Sequence, residues 1–181
     1  MKKNLFELPI PTRDGRFAAR YSQKGLAELD FPTSHRRRRG NESQISSPDE
    51  SVRDSSRRLP WIPNRILNWH RATKAALKNI LAGRAAGNLP PLDLTGGTAF
   101  QQAVWRALRK ISFGTTKSYG DIARAIGRAR AVRAVGGACG ANPIPVLVPC
   151  HRVLAANRKL GGFSAGLDWK QTLLAREGVK F

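Results

Sequence analysis

One stretch of the chain concentrates the reactive side chains. Asn142-Pro143-Ile144-Pro145-Val146-Leu147-Val148 leads into Pro149-Cys150-His151-Arg152-Val153, which sets a thiol beside an imidazole and a guanidinium. A proline fixes the backbone just before the sulfur. A thiol reacts as the thiolate, and a neighbouring His or cation brings its pKa down from about 8.5 into the working range. The alternative is a core cysteine, the usual fate of that residue. Pro-Cys-His-Arg is a poor core pattern, because two ionisable groups would be buried with the sulfur; this favours a reactive thiol. Residues 144–148 are too short and too β-branched for a helix, so a buried strand or extended segment is expected to deliver the thiol.

Composition limits the partners. The protein has 181 residues, with 32 Lys+Arg against 12 Asp+Glu and a formal charge of +20. Residues 98–181 alone carry fourteen basic and three acidic groups. A basic folded domain implies a polyanionic partner, nucleic acid ahead of membrane. No apolar run approaches the roughly 20 residues needed to span a bilayer. Lys2 and Lys3 precede an apolar stretch broken by Glu7 and Pro9, so no secretory signal is expected. Two cysteines, Cys139 and Cys150, make no disulfide scaffold, and with three His no zinc cage is expected. An intracellular, reducing compartment follows, cytoplasmic and nucleoid-associated in a prokaryote.

The elements that must position the thiol follow from periodicity. Residues 16–31 read as a hairpin, with Phe17, Ala19 and Tyr21 alternating and Ser22-Gln23-Lys24-Gly25 as the turn. From 34 to 59 apolar content collapses around Arg36-Arg37-Arg38-Arg39, and a disordered basic insertion is expected. Asn64 is placed to cap a helix bearing Ile66, Trp69, Thr73, Leu77 and Ile80, ended by Gly83 or Gly87. Leu89-Pro90-Pro91-Leu92-Asp93-Leu94 must be extended and reads as an interdomain linker. Thr98-Ala99-Phe100-Gln101 is a capping box for a helix with Phe100, Val104, Leu108 and Ile111 on one stripe. Ser118-Tyr119-Gly120-Asp121 opens a short helix stopped by Gly127, and another runs from 131 to about 138; the pair fits a helix-turn-helix. Asp168 is placed to cap a last helix through Ala175. The expected fold is α+β, with a small sheet-and-helix domain over residues 1–97 and a mainly helical domain over 98–181.

With these residues in view, the chain resembles the O6-alkylguanine-DNA alkyltransferases, the methylated-DNA–protein-cysteine methyltransferases. The match is carried by Pro149-Cys150-His151-Arg152-Val153, Arg133-Ala134-Val135-Gly136-Gly137-Ala138 and Asn142-Pro143. Phe100-Gln101-Gln102-Ala103-Val104-Trp105, Ser118-Tyr119 and Leu174-Ala175-Arg176-Glu177-Gly178 follow in order and spacing. It covers residues 98–181; the first half matches more weakly, and 34–59 stands outside the pattern. The resemblance implies repair of duplex DNA by a monomer without cofactor, metal, membrane or obligate protein partner. An alkyl group on guanine O6, or on thymine O4, would pass to Cys150 in a single turnover, after base flipping.

The family pattern implies a relay of Glu177, His151, a water and Cys150, with Tyr119 donating toward the leaving guanine. The carbonyls of Cys150 and Val153 would accept from the exocyclic amine, and the Ser164 amide would donate to O6. Asn142, Cys139 and Phe163 would complete the pocket, Phe163 standing where a tyrosine is common. Arg133 would fill the vacated base stack. Ala131, Ala134 and Gly136 would let the helix approach the minor groove, and Ser118 and Tyr119 would touch DNA. Ala165, in place of a common glycine, is expected to tighten the pocket against bulky groups. Zinc binding, seen in some relatives, does not carry over, since no cysteine precedes Cys139.

Three other readings differ in class. An alkyltransferase-like damage sensor keeps the fold but lacks the cysteine, which is present here. A helix-turn-helix regulator with a redox thiol needs polar base-reading residues, whereas 131–138 offers mostly Ala, Val and Gly. A Cys-His hydrolase would turn over repeatedly.

Overall fold

The computed structural model describes residues 5–32 and 61–180; the Arg-rich stretch 34–59 lies outside the described residues. The architecture is α+β. Strands β1 (Phe6–Thr12), β2 (Gly15–Ser22) and β3 (Gly25–Asp30) form an antiparallel sheet in the order β1-β2-β3. The hairpin expected over 16–31 is β2 and β3. β1 escaped the sequence reading because Pro9 and Pro11 argue against a strand. Here they lie on an edge, facing outward with Glu7, while Phe6, Leu8 and Ile10 turn toward the core. At an edge a missing N–H breaks no ladder bond. On the outer face Arg20 binds Glu7, Glu28 and Asp30 at 2.7, 2.7 and 2.8 Å.

Helix α1 (Asn64–Leu81) covers the inner face with Ile66, Ala76, Leu77, Ile80 and Leu81. Asn64 is its first residue rather than its cap: Pro63 holds the cap position, without a side-chain bond. Gly83 ends the helix at φ +71°, and a Cβ there would stand 2.6 Å from the Arg176 carbonyl oxygen.

Residues 89–94 are extended as expected, but they lie along β3. Leu26 N–H donates to Pro91 O at 2.8 Å, and Asp93 N–H to Leu26 O at 2.7 Å. The approach depends on Gly25, where a Cβ would fall 2.1 Å from Pro91 O.

The second half consists of α2 (Ala99–Leu108), β4 (Lys117–Ser118), α3 (Tyr119–Ala125), α4 (Val132–Gly140), β5 (Val153–Leu154) and α5 (Leu167–Arg176). The Thr98 capping box closes on Gln101, and a second forms between Ser118 and Asp121. Trp105 Nε1 donates to Ala138 O at 2.8 Å and ties α2 to α4. The turn between α3 and α4 uses Gly127 at φ +69°, as the helix-turn-helix reading requires. Asp168 sits inside the first turn of α5, and Gly166, not Asp168, holds the cap position. Among the described residues no helix is long and apolar enough to cross a membrane.

One hydrophobic cluster joins the sheet, α1, α2, α4 and the turn around Cys150. An aromatic chain extends it: Phe31 packs at a tilt against Phe17 and Trp169, with ring centres 5.4 and 4.8 Å away, and meets Phe163 edge-on at 5.9 Å. Gly25→Ala is expected to lower stability by about 2 kcal/mol or more, dropping Tm by roughly 5 °C. An unchanged thermal melt would mean that residues 89–94 do not depend on that close approach.

Candidate active site

The thiol is delivered by a folded loop. Residues 144–148, expected as a buried strand or extended segment, form a buried turn: Val148 N–H donates to Ile144 O at 2.9 Å, and Val146 takes φ +73°. A β-branched residue rarely adopts that conformation, so the loop needs outside support. Asn142 supplies it. Its Oδ1 accepts from Ile144 N–H at 3.1 Å, and its Nδ2 donates to Val148 O at 2.8 Å and to Cys150 Sγ at 3.1 Å. One buried amide thus closes the loop and orients the sulfur.

Cys150 opens a short 3-10 turn, Cys150–Arg152, in which all three side chains are buried. Behind it lies the carboxylate of Glu177, at the C-cap of α5. Arg152 Nε reaches Glu177 Oε2 at 2.9 Å and Nη2 reaches Oε1 at 3.0 Å, while Nη1 donates to Ile111 O at 2.7 Å. Gly114 N–H donates to Oε2 at 3.2 Å, and His151 Nε2 lies 2.9 Å from Oε1. Burial and the helix dipole both oppose a charged carboxylate here. Burial pushes Glu177 up, yet the bonds and charges of His151 and Arg152 outweigh it and hold the group at about 2.

An ionised carboxylate only accepts, so the proton of the His151–Glu177 bond sits on His151 Nε2. Burial lowers the His151 pKa against the pull of Glu177, which leaves the ring neutral at pH 7. Nδ1 is then an unprotonated nitrogen, and it is buried with no hydrogen-bond partner among the described residues. Burial pushes the Cys150 thiol up, partly offset by the Asn142 bond and the Lys170 charge. The resting pair is therefore a protonated thiol and a neutral base.

The sulfur opens on a cavity of about 580 Å³ lined by Tyr119, Val132, Arg133, Gly136, Cys139, Gly140, Cys150, Gly162, Phe163 and Ser164. Arg133 and Ala134 are exposed on α4, and Ala131 is its N-cap. Val153 and Asn142 are buried behind the wall. Ser118 is taken up by capping α3. Ala165 lines a neighbouring cleft with Asn142, Pro143 and Trp169, not the Cys150 cavity; this corrects the expectation that it tightens the pocket. Tyr119 is raised to about 12, by burial first, and stays a hydroxyl donor at neutral pH. Cys139 is likewise pushed up to about 12 by burial.

Sequence reasoning missed Lys170. It is fully buried, and its ammonium donates to Val153 O at 2.7 Å, to Leu160 O and to Gly162 O at 3.4 Å. One cation thus gathers β5 and the 160–162 loop around the cavity. Its sequence signal was present, since Lys170, Leu173, Leu174 and Glu177 share one helical stripe. Gly161, at φ +66°, brings its bare α-carbon against Tyr119, where a Cβ would meet the hydroxyl at 3.0 Å.

Glu177 titrates near 2 in the fold against about 4.5 when free, so its stabilisation is complete above pH 4.5 and disappears as pH falls toward 2. Glu177→Gln should lose that acid step and, with Arg152 left beside a neutral amide, about 3 kcal/mol at pH 7. Chemical denaturation across pH 2–7 checks both; equal acid sensitivity in the two proteins would contradict the assignment.

Residues 99–179 match the family model for the 6-O-methylguanine DNA methyltransferase DNA binding domain. A Haemophilus influenzae protein named methylated-DNA–protein-cysteine methyltransferase is 52% identical over 85 residues; the match spans 47% of this chain and about half (48%) of that protein's length. A Methanosarcina barkeri protein of the same name is 36% identical over 180 residues, covering 98% of this chain and 97% of its own. The Mycobacterium tuberculosis OGT, solved in complex with DNA, superposes with a TM-score of 0.63 at 33% identity, covering 93% and 90% of the two chains. Identity that runs nearly end to end, around a thiol held as described, means that this chain belongs to the methylated-DNA–protein-cysteine methyltransferase family.

Proposed function

We propose that the protein repairs alkylated guanine in double-stranded DNA by moving the alkyl group from O6 to Cys150 Sγ, once per molecule. O4-alkylthymine is a second substrate of the same chemistry. The observation that carries the reading is a buried thiol on the wall of a 580 Å³ cavity, followed in the chain by a buried imidazole whose Nδ1 has no hydrogen-bond partner among the described residues. The names of the relatives above support it.

The lesion flips out of the stack into the cavity, because its O6 substituent cannot be reached within the duplex. Arg133, exposed on α4 beside the cavity mouth, fills the space left behind. The small residues Ala131, Ala134 and Gly136 allow a close approach along the minor groove without base reading. The carbonyls of Cys150 and Val153 and the Ser164 amide select guanine. Lys170 holds the Val153 carbonyl in place.

Cys150 gives its proton through one water to His151 Nδ1, and the sulfur attacks the alkyl carbon. The carbon–O6 bond breaks as the carbon–sulfur bond forms. Tyr119 donates a proton to the departing ring, and the proton on His151 restores the hydroxyl. The net change moves the thiol proton to guanine and leaves a thioether, which water does not cleave under mild conditions. Residues 98–181 form the DNA-binding and acceptor domain, working as an intracellular monomer.

Intact-protein mass after incubation with an O6-methylguanine duplex should rise by one methyl group, mapped to Cys150 and saturating at one per protein. Cys150→Ala should abolish the gain yet still bind the lesion. Tight binding with no mass change in the natural protein would indicate a sensor instead.

A further inference from the structure

We propose that Asp14, in the turn between β1 and β2, is a positioning residue for Glu177, acting through its ion pair with Arg176. The inference rests on the reading of Cys150, His151 and Glu177 as the alkyl-transfer machinery.

Two residues 162 positions apart meet in a fork. Arg176 Nη2 lies 2.6 Å from Asp14 Oδ1 and Nη1 lies 2.9 Å from Oδ2. The pair is mostly covered, at 23% and 17% exposure. The same turn reaches α1, since Arg13 Nη2 donates to Leu81 O at 3.0 Å. Just beyond α1, Gly83 presses its bare α-carbon on the Arg176 carbonyl. Residue 176 is thus gripped by side chain and backbone from two elements of the N-terminal half.

Arg176 is the last residue of α5 and Glu177 is its cap. Helix ends fray unless held, and a cap residue goes where the last turn goes. Glu177 must meet two segments at once: His151 and Arg152 in the Cys150 turn, and the Gly114 N–H after α2. The titratable and charged groups facing the assembly are Arg13 and Arg176 around Asp14, His151 and Arg152 around Glu177, Arg152 and Lys170 around His151, and Lys170, Cys139 and Tyr119 around Cys150. The rival account makes Arg176 a surface cation that merely complements the helix dipole. It leaves unexplained why both fork positions are spent on one carboxylate from the sheet.

The test uses the full chain, as Asp14→Asn and as the exchange of Asp14→Arg with Arg176→Asp. Iodoacetamide labelling of Cys150 is followed against pH without DNA by peptide mass mapping, beside methyl transfer from an O6-methylguanine duplex and a thermal melt. Asp14→Asn should move the half-maximal labelling pH upward by about half a unit and slow methyl transfer about threefold to fivefold, the range an ion pair of this exposure supplies. The exchange should restore both to within about twofold. A labelling profile identical to the natural protein's, even with a lower Tm, would reduce the pair to a structural tether and overturn the proposal. If the exchange does not fold, the Asp14→Asn profile decides alone. The labelling arm needs no lesion. A natural protein that takes no methyl group while its profile still moves with Asp14 would sink the repair reading and spare the positioning role.

Discussion

A charged carboxylate buried at the end of a helix is the constraint to which the rest of the structure answers. Glu177 has fully covered side-chain atoms, sits at the unfavourable pole of α5, and still holds its charge. An ion in that position is tolerated only when every lone pair finds a donor. The donors come from two separate segments, so the chain after α2, the Cys150 turn and the end of α5 must agree on one point in space. Arg152 cancels the charge, Gly114 fills an oxygen, and His151 takes what remains. The imidazole is held in one tautomer as a consequence, which is the condition for a base aimed away from the carboxylate.

A second buried charge organises the opposite wall. Lys170 collects one carbonyl from β5 and two from the chain between β5 and α5, a stretch with little regular structure. Such a loop would otherwise leave acceptors unpaired beside the cavity. Glu177 and Lys170 stand seven residues apart on α5, so one helix places the relay and the base-recognition loop together. The sheet reaches the same helix through Trp169, Phe31 and Phe17, and Phe31 touches the pocket residue Phe163. The N-terminal half is therefore part of the pocket's support.

The fold was legible where the chain follows periodicity. The hairpin, α1 to α5 and the Thr98 capping box follow from spacing and end signals. Helix starts were less secure: Asn64 and Asp168 look like caps, yet Pro63 and Gly166 hold those positions. Residues 144–148 misled because β-branching suggests a strand, whereas the Asn142 amide bends the run into a turn and holds Val146 at positive φ. β1 was lost because its prolines look forbidding until the strand is known to lie at an edge. At the site, adjacency alone pointed to Cys150 and His151, while Glu177 came from the family pattern, being 26 residues from its partner. Lys170 was missed because a lysine on an apolar stripe reads as a flaw in the pattern rather than as a buried cation with carbonyl partners.

The account turns on the state of one imidazole, and nitrogen NMR of the ring across pH 5 to 8 observes it directly. The protein with ¹⁵N-labelled histidine should show His151 as the neutral ring protonated at Nε2 at pH 7 and above, with Nδ1 bearing a free lone pair and any protonation confined to pH values below the ordinary histidine range. An imidazolium near neutral pH, or a ring protonated at Nδ1, would contradict this chemistry, because no free imidazole nitrogen would then be available to take the thiol proton.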